Sequence, residues 1–182
     1  MTRIDPRRLV FIDESGANLA MGRSHAWVLR GEEYVEPRPM NWGDNLSLIG
    51  AVRLTGWVTL ATQWKAVKAT DFIAWVRDRL APRLQAGDLV LLDNLRAHHA
   101  PAVAALILSR GATLKFLPPY SPDFNPIEAV WALVKKHIRT FAPRTAASLR
   151  RTARAARHAV DAHHCSQFFA HAGYVTSSAR RD

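Results

Sequence analysis

The chain has one cysteine, Cys165, so it has no internal disulfide framework, and such sparing use points to a reducing compartment. Nowhere does an apolar run approach the roughly 20 residues that a membrane-spanning helix needs. The polar start, Met1-Thr2-Arg3-Ile4-Asp5-Pro6, lacks the apolar stretch of a signal peptide. Secretion and membrane insertion are therefore not expected, and the expected location is cytoplasmic. Internal repeats and low-complexity tracts are absent as well. The sequence is also short of acid: 15 Asp and Glu stand against 25 Lys and Arg, for a net charge of +10.

That imbalance is uneven. From Ala129 to Asp182 there are ten basic residues and two acidic ones, so +8 of the charge lies in the last 54 residues. An excess of this kind favours polyanionic partners, nucleic acid first among them; its plain alternative is a solvated, arginine-rich surface. With 182 residues, 48% of them hydrophobic and 22% charged, the chain fits one globular domain that folds without a metal or disulfide staple.

Leu9-Val10-Phe11-Ile12 reads as a buried strand delivering Asp13-Glu14-Ser15-Gly16 at its exit. His25 to Leu29 is a weaker strand candidate, and Gly31 to Asn45, with its prolines, glycines and charges, is a loop. Leu46 to Leu54 and Trp57 to Thr62 flank Thr55-Gly56 as a hairpin. A helix capped by Thr70 or Asp71 follows, with Ile73, Val76, Leu80 and Leu84 on one stripe. Asp88 to Asp93 is a second buried strand ending in acid, His99 to Arg110 a helix, and Ala112 to Leu117 a last short strand. Asn125-Pro126-Ile127-Glu128 opens a further helix with N-cap, N1 proline and N3 acid in place. The final helix, about Thr145 to Asp161, puts Leu149, Ala153, Ala156 and Val160 on one face and Arg150, Arg154 and Arg157 on another. Strands followed by alternating helices and strands make an α/β fold with a basic C-terminal helix.

Asp13 and Asp93 each end a very apolar strand, where an unpartnered carboxylate is costly, and Glu128 follows a loop stiffened by prolines. Three converging carboxylates repel one another by about 1–4 kcal/mol per pair at contact distance. Hard cations such as Mg²⁺ or Mn²⁺ offset that repulsion, and two of them can drive displacement at a phosphodiester. Acid ligands beside a basic surface thus point to metal-dependent phosphoryl transfer on nucleic acid. Each acid also has a structural explanation: Asp13 as a strand end with Glu14 as the ligand, Asp93 as an Asx-turn, Glu128 as half of a capping box.

Three segments decide between these readings: Val10-Phe11-Ile12-Asp13-Glu14-Ser15-Gly16, Leu91-Leu92-Asp93-Asn94-Leu95-Arg96-Ala97-His98, and Leu117-Pro118-Pro119-Tyr120-Ser121-Pro122-Asp123-Phe124-Asn125-Pro126-Ile127-Glu128. Over roughly residues 8 to 140 the chain resembles DDE transposases of the mariner superfamily, most closely its bacterial insertion-sequence branch. The 34 residues between Asp93 and Glu128 match that family's spacing. The resemblance implies a ribonuclease H-like mixed sheet flanked by helices. It implies that Asp13, Asp93 and Glu128 bind two Mg²⁺ ions, with Mn²⁺ as substitute. The activity implied is hydrolysis at a transposon end, followed by attack of the freed 3′-hydroxyl on target DNA.

Asn94 and His98 match the family's Asp-Asn-x-x-x-His stretch and are expected to orient Asp93 or contact a phosphate. Trp131, three residues past Glu128, is expected in the core. Lys135, Lys136, Arg139, Arg150, Arg154 and Arg157 are expected to meet DNA. Residues 1–142 form the expected catalytic unit and residues 143–182 a basic helical extension of the same domain. The first strand starts near Arg8, which leaves no room for the family's helix-turn-helix region. A partner chain or frameshifted upstream segment is expected to supply it, with a homodimer in the active, DNA-associated complex. Three rivals stand beside this reading: a DNA-binding remnant without turnover, a ribonuclease H-like structure-selective nuclease, and a zinc site from His163, His164, Cys165 and His171, which lacks paired-cysteine spacing.

Overall fold

Leu9 to Ile12 is buried on both faces, the pattern of a strand flanked by other strands and covered above and below. In this computed structural model, which describes residues 4–23, 25–38, 43–119 and 121–174, the sheet comprises β1 (Leu9–Ala17), β2 (Leu46–Arg53), β3 (Gly56–Trp64), β4 (Leu89–Leu92) and β5 (Thr113–Phe116). Their spatial order is β3-β2-β1-β4-β5. The first three are antiparallel neighbours, while β4 and β5 run parallel to β1. The hairpin expected at Thr55-Gly56 is present, with Gly56 at φ +122.

Two layers of helix cover the sheet. Val10, Ile12, Val90 and Leu92 face α1 (Ala69–Trp75) and α2 (Pro101–Leu108) through Phe72, Trp75, Val103 and Ile107. Leu9, Phe11, Leu89 and Leu91 face α3 (Pro126–Phe141), α4 (Ala146–Ala155) and α5 (Ala162–His171). On α3, Ile127, Val130, Trp131, Val134 and Ile138 recur at helical spacing, and all are buried. Phe169 meets Phe11 edge to face at 5.3 Å, so α5 belongs to the same core.

Several expectations need correcting. His25–Leu29 is not a strand: it carries no regular structure, and Trp27 and Leu29 lie in solvent. The helix beginning near Thr70 is capped by Lys68, with Asp71 at the third position accepting from the Lys68 amide at 3.0 Å. It widens over Val76–Leu80, where Ala81 N bonds back to Val76 O, before Pro82 closes it in a tight turn. The last helix does not run unbroken to Asp161. The chain is extended at Val160, and Asp161 caps a new helix, accepting from His164 N at 2.8 Å. Among the described residues no helix is long and apolar enough to cross a membrane.

Candidate active site

β1 outruns its parallel neighbour. The β1–β4 ladder pairs Leu9 with Leu89 and ends at Phe11 with Leu91, and the same offset sets Asp13 beside Asp93 just past the end of β4. Asp13 is therefore not at the exit of β1 but inside it, because β1 continues to Ala17 against β2 alone. Glu128 stands in the first turn of α3. All three acids line one cleft of about 390 Å³, with Pro118, Pro119, Ser121 and Asn125 on its wall. Asp13 is buried, Asp93 half-buried and Glu128 exposed, running from floor to rim. Among the described residues, no three carboxylate, imidazole or thiol groups converge on one metal-sized point. The acids share a cleft rather than a point.

Burial lifts the Asp13 carboxyl to about 7, and the charges of Glu128 and Asp93 add to the rise. Hydrogen bonds from the Glu14 amide and from the Trp131 indole, the latter at 3.0 Å, work the other way. Asp88, the other buried aspartate, shows what a structural acid looks like in this fold. Arg53 lies 3.1 Å from it and Arg8 3.8 Å. Among the described residues no cation pairs with Asp13.

Asp93 is fixed by His98, whose Nδ1 donates to Asp93 Oδ1 at 2.6 Å while Nε2 reaches Glu14 Oε1 at 3.4 Å. Burial alone would depress this imidazole; the hydrogen bonds and charges of Asp93 and Glu14 outweigh it and hold it at about 9. Phe72 packs on its ring at 4.4 Å. With only 1% of its surface exposed, His98 is closed to a DNA strand; of the two roles expected for it, the geometry is that of orienting Asp93. Glu14 follows Asp13 in the strand, so it points to the other face and serves His98 rather than the cleft. The Asx-turn expected as the alternative for Asp93 is present only at 3.4 Å, from Leu95 N. Asn125 caps α3 without a side-chain hydrogen bond, and its Oδ1 is buried at the cleft wall with no donor.

Asn94 lines the cleft and is exposed, with its Oδ1 held by His99 Nε2 at 2.6 Å. The basic residues expected to meet DNA line different grooves. Lys136 and Arg139 share a groove with Arg23, Trp27 and Tyr34. Arg150, Arg154 and Arg157 line another, and half-buried Lys135 lines neither. Two contributors escaped the sequence reading. His99 is one. The other is Gly50, the cross-strand partner of Asp13: a Cβ there would lie 2.7 Å from Trp57 and 2.8 Å from Trp131. The zinc alternative finds no cluster: among the described residues no three such groups converge on one ion, Cys165 being buried while His163 and His171 are exposed.

The family described as DDE superfamily endonuclease matches residues 8–150. The chain belongs to that family. No curated protein sequence matches it. Among solved structures, the DDE chain is similar to the Mos1 mariner paired-end complex with Mn (19% identity, TM-score 0.63, 90% of this chain and 52% of that one). It is also similar to the Mos1 paired-end complex with left transposon end (18%, 0.60, 89% and 55%). A third is the Mos1 transposase catalytic domain with Raltegravir and Mg (16%, 0.58, 90% and 77%). The chain spans about half the length of the Mos1 chains in the two paired-end complexes. At these identities the likeness establishes the fold alone, a ribonuclease H-like sheet similar to that of the Mos1 catalytic domain.

Proposed function

We propose that this chain is the catalytic domain of an insertion-sequence transposase, hydrolysing the phosphodiester at a transposon end and joining the freed 3′-hydroxyl to target DNA. One observation carries the reading: Asp13, Asp93 and Glu128, far apart in sequence, line a single cleft in which, among the described residues, only Asp93 has a cationic partner, His98.

The cleft suits hard divalent ions. Its donors are oxygens, Asp13 and Glu128 have no cationic partner among the described residues, and Asn125 Oδ1 waits there without a donor. Mg²⁺ keeps several waters and takes one or two carboxylates per ion, so it does not require three side chains at one point. Asp13, Asp93 and Glu128 would hold two Mg²⁺ ions, or Mn²⁺ in their place. Bound there, the ions would activate the attacking oxygen and stabilise the leaving one. The protein does the rest by positioning. His98 ties down one oxygen of Asp93, leaving the other to the cleft, and Trp131 does the same for Asp13. Asn94, with its oxygen engaged by His99, turns its amide donors toward a phosphate.

DNA is the partner in this reading, as transposon end and as target, in a homodimeric complex in the bacterial cytoplasm. Residues 1–142 carry the chemistry, and residues 143–182, with Arg150, Arg154 and Arg157, extend the same domain toward DNA. Lys135, Lys136 and Arg139 add contacts beyond the cleft. Recognition of transposon ends falls to a helix-turn-helix partner or upstream segment.

The test is nicking of supercoiled plasmid with Mg²⁺ or Mn²⁺ by wild type and by Asp93→Ala. Nicking that requires both the metal and Asp93 is expected, as are strand-transfer products on a donor with transposon ends. Equal nicking by the two proteins would overturn the enzyme reading, and cutting without strand transfer would leave a nuclease.

A further inference from the structure

A second cavity, of about 560 Å³ against 390 Å³ for the carboxylate cleft, shares no residue with it. Its floor is Leu60, Ala61 and Thr62 of β3, the edge strand of the sheet. Arg150 and Arg154 of α4, with Arg157 and His158 of the turn that follows, form one wall, and Arg79, from the widened turn after α1, reaches in from the other. Two helical layers thus bring four guanidinium groups to one edge.

No acid answers them. Among the described residues, Arg7, Arg8, Arg38, Arg53, Arg77 and Arg144 each pair with a carboxylate, and Arg79, Arg150, Arg154 and Arg157 do not. Arg157 Nε instead donates to His158 Nε2 at 3.2 Å, which aims the guanidinium and uses that ring nitrogen as an acceptor. Two polar atoms of the lining residues, Arg150 Nε and Thr62 Oγ1, are buried without a hydrogen-bond partner. Like charges gathered without counter-ions and buried polar atoms left unpaired describe a surface that an anion completes.

The spacing selects the anion. Arg150, Arg154 and Arg157 sit at i, i+4 and i+7, which spreads them over about 10 Å of helix axis. That is the rise of roughly three nucleotides along one strand of duplex DNA. Successive phosphates of one strand meet such a row in series, which a single small anion does not.

We propose that this groove is a second DNA-backbone site, gripping consecutive phosphates of one strand while another stretch of DNA occupies the carboxylate cleft. The proposal rests on the transposase reading only in naming DNA as the polyanion. Binding there positions duplex without reading bases.

The experiment is duplex-DNA binding by fluorescence anisotropy across a range of salt, with folding of each variant checked by thermal melting. Arg79→Gln is expected to flatten the slope of log K against log salt by about one, and the exposed pair Arg154→Gln/Arg157→Gln by about two. The control is Arg77→Gln, an equal change of charge two residues away on a side chain already paired with Asp78 at 2.7 Å; it is expected to leave the slope unchanged. Equal slopes for Arg79→Gln and Arg77→Gln would overturn the proposal, as would loss of inorganic-phosphate binding with an unchanged DNA slope. Plasmid nicking separates the two claims. Asp93-dependent nicking with an unaltered slope in the groove variants would sink the groove alone, and flattened slopes without such nicking would sink the catalytic reading alone.

Discussion

The indole of Trp131 donates to Asp13 Oδ2 at 3.0 Å, joining α3 to β1 across 118 positions of sequence. The ring reaches the carboxylate only because residue 50 has no side chain: Gly50 pairs with Asp13 across the β1–β2 ladder, and Trp57 and Trp131 pack over it. One aromatic residue thus fills the core and fixes the buried acid of the cleft.

Gly50→Ala is expected to cost about 1–3 kcal/mol of stability through overpacking against two indoles. It should also displace Trp131 and raise the Mg²⁺ concentration needed for nicking. Trp131→Phe keeps most of the ring but removes the donor, at about 1 kcal/mol. Thermal melting and metal titration of nicking report both, and an unaltered metal requirement in both variants would detach Trp131 from the site.

Asp13→Asn separates stability from function. An ordinary aspartate ionises near 4, whereas folded Asp13 keeps its proton to about 7. The unfolded chain therefore binds fewer protons between those values, and the contribution of this group to stability falls as pH rises through that window. Without metal, Asp13→Asn is expected to melt above wild type at pH 8, with the gap closing toward pH 4. Melting curves in chelator at several pH values test this. Added Mg²⁺ should reverse the order at pH 8, because it binds only the wild type tightly.

His98 has the same sign of pH dependence in a higher window, but here a stabilising pairing is lost rather than a buried charge created. Its folded pKa of about 9 lies above the ordinary 6.5, so its stabilising pairing with Asp93 and Glu14 is complete below about pH 6.5 and is lost as pH climbs through 9. His98→Asn is expected to narrow its stability deficit against wild type across that interval. Nicking should fall by about 10–100-fold, the usual cost of losing a group that orients a ligand. A pH-independent deficit with full activity would reduce His98 to packing.

Asp93→Asn and Glu128→Gln are expected to abolish nicking, by more than about a hundredfold, while leaving the fold and bulk DNA affinity near wild type. Mg²⁺ should raise the melting temperature of wild type more than that of either variant. An identical rise would argue against ligation by the altered residue.

The local settings of the three proposed acids were legible, a buried strand for Asp13, a strand exit for Asp93 and a proline-stiffened helix start for Glu128, while the resemblance singled them out as a set. The role of Gly50 was not legible, and that of His98 was narrowed only to two, since each depends on which element lies opposite, and that is set by register and packing. The break before α5 was hidden for a related reason. The apolar stripe through Leu149, Ala153, Ala156 and Val160 runs to the end of the first helix, and Asp161 announces the second only through its cap. His25–Leu29 has the composition of a strand but takes no regular structure, because composition carries no information about which element lies alongside.

Asp13 is secured from the α3 side of the sheet and Asp93 by His98, which packs with Phe72 on the other side. Peeling away either layer releases one half of the arrangement. If the cleft cuts DNA as proposed, a nascent or damaged chain that has formed only one layer holds only one of the two acids in place, and that coupling is a safeguard written into the architecture itself.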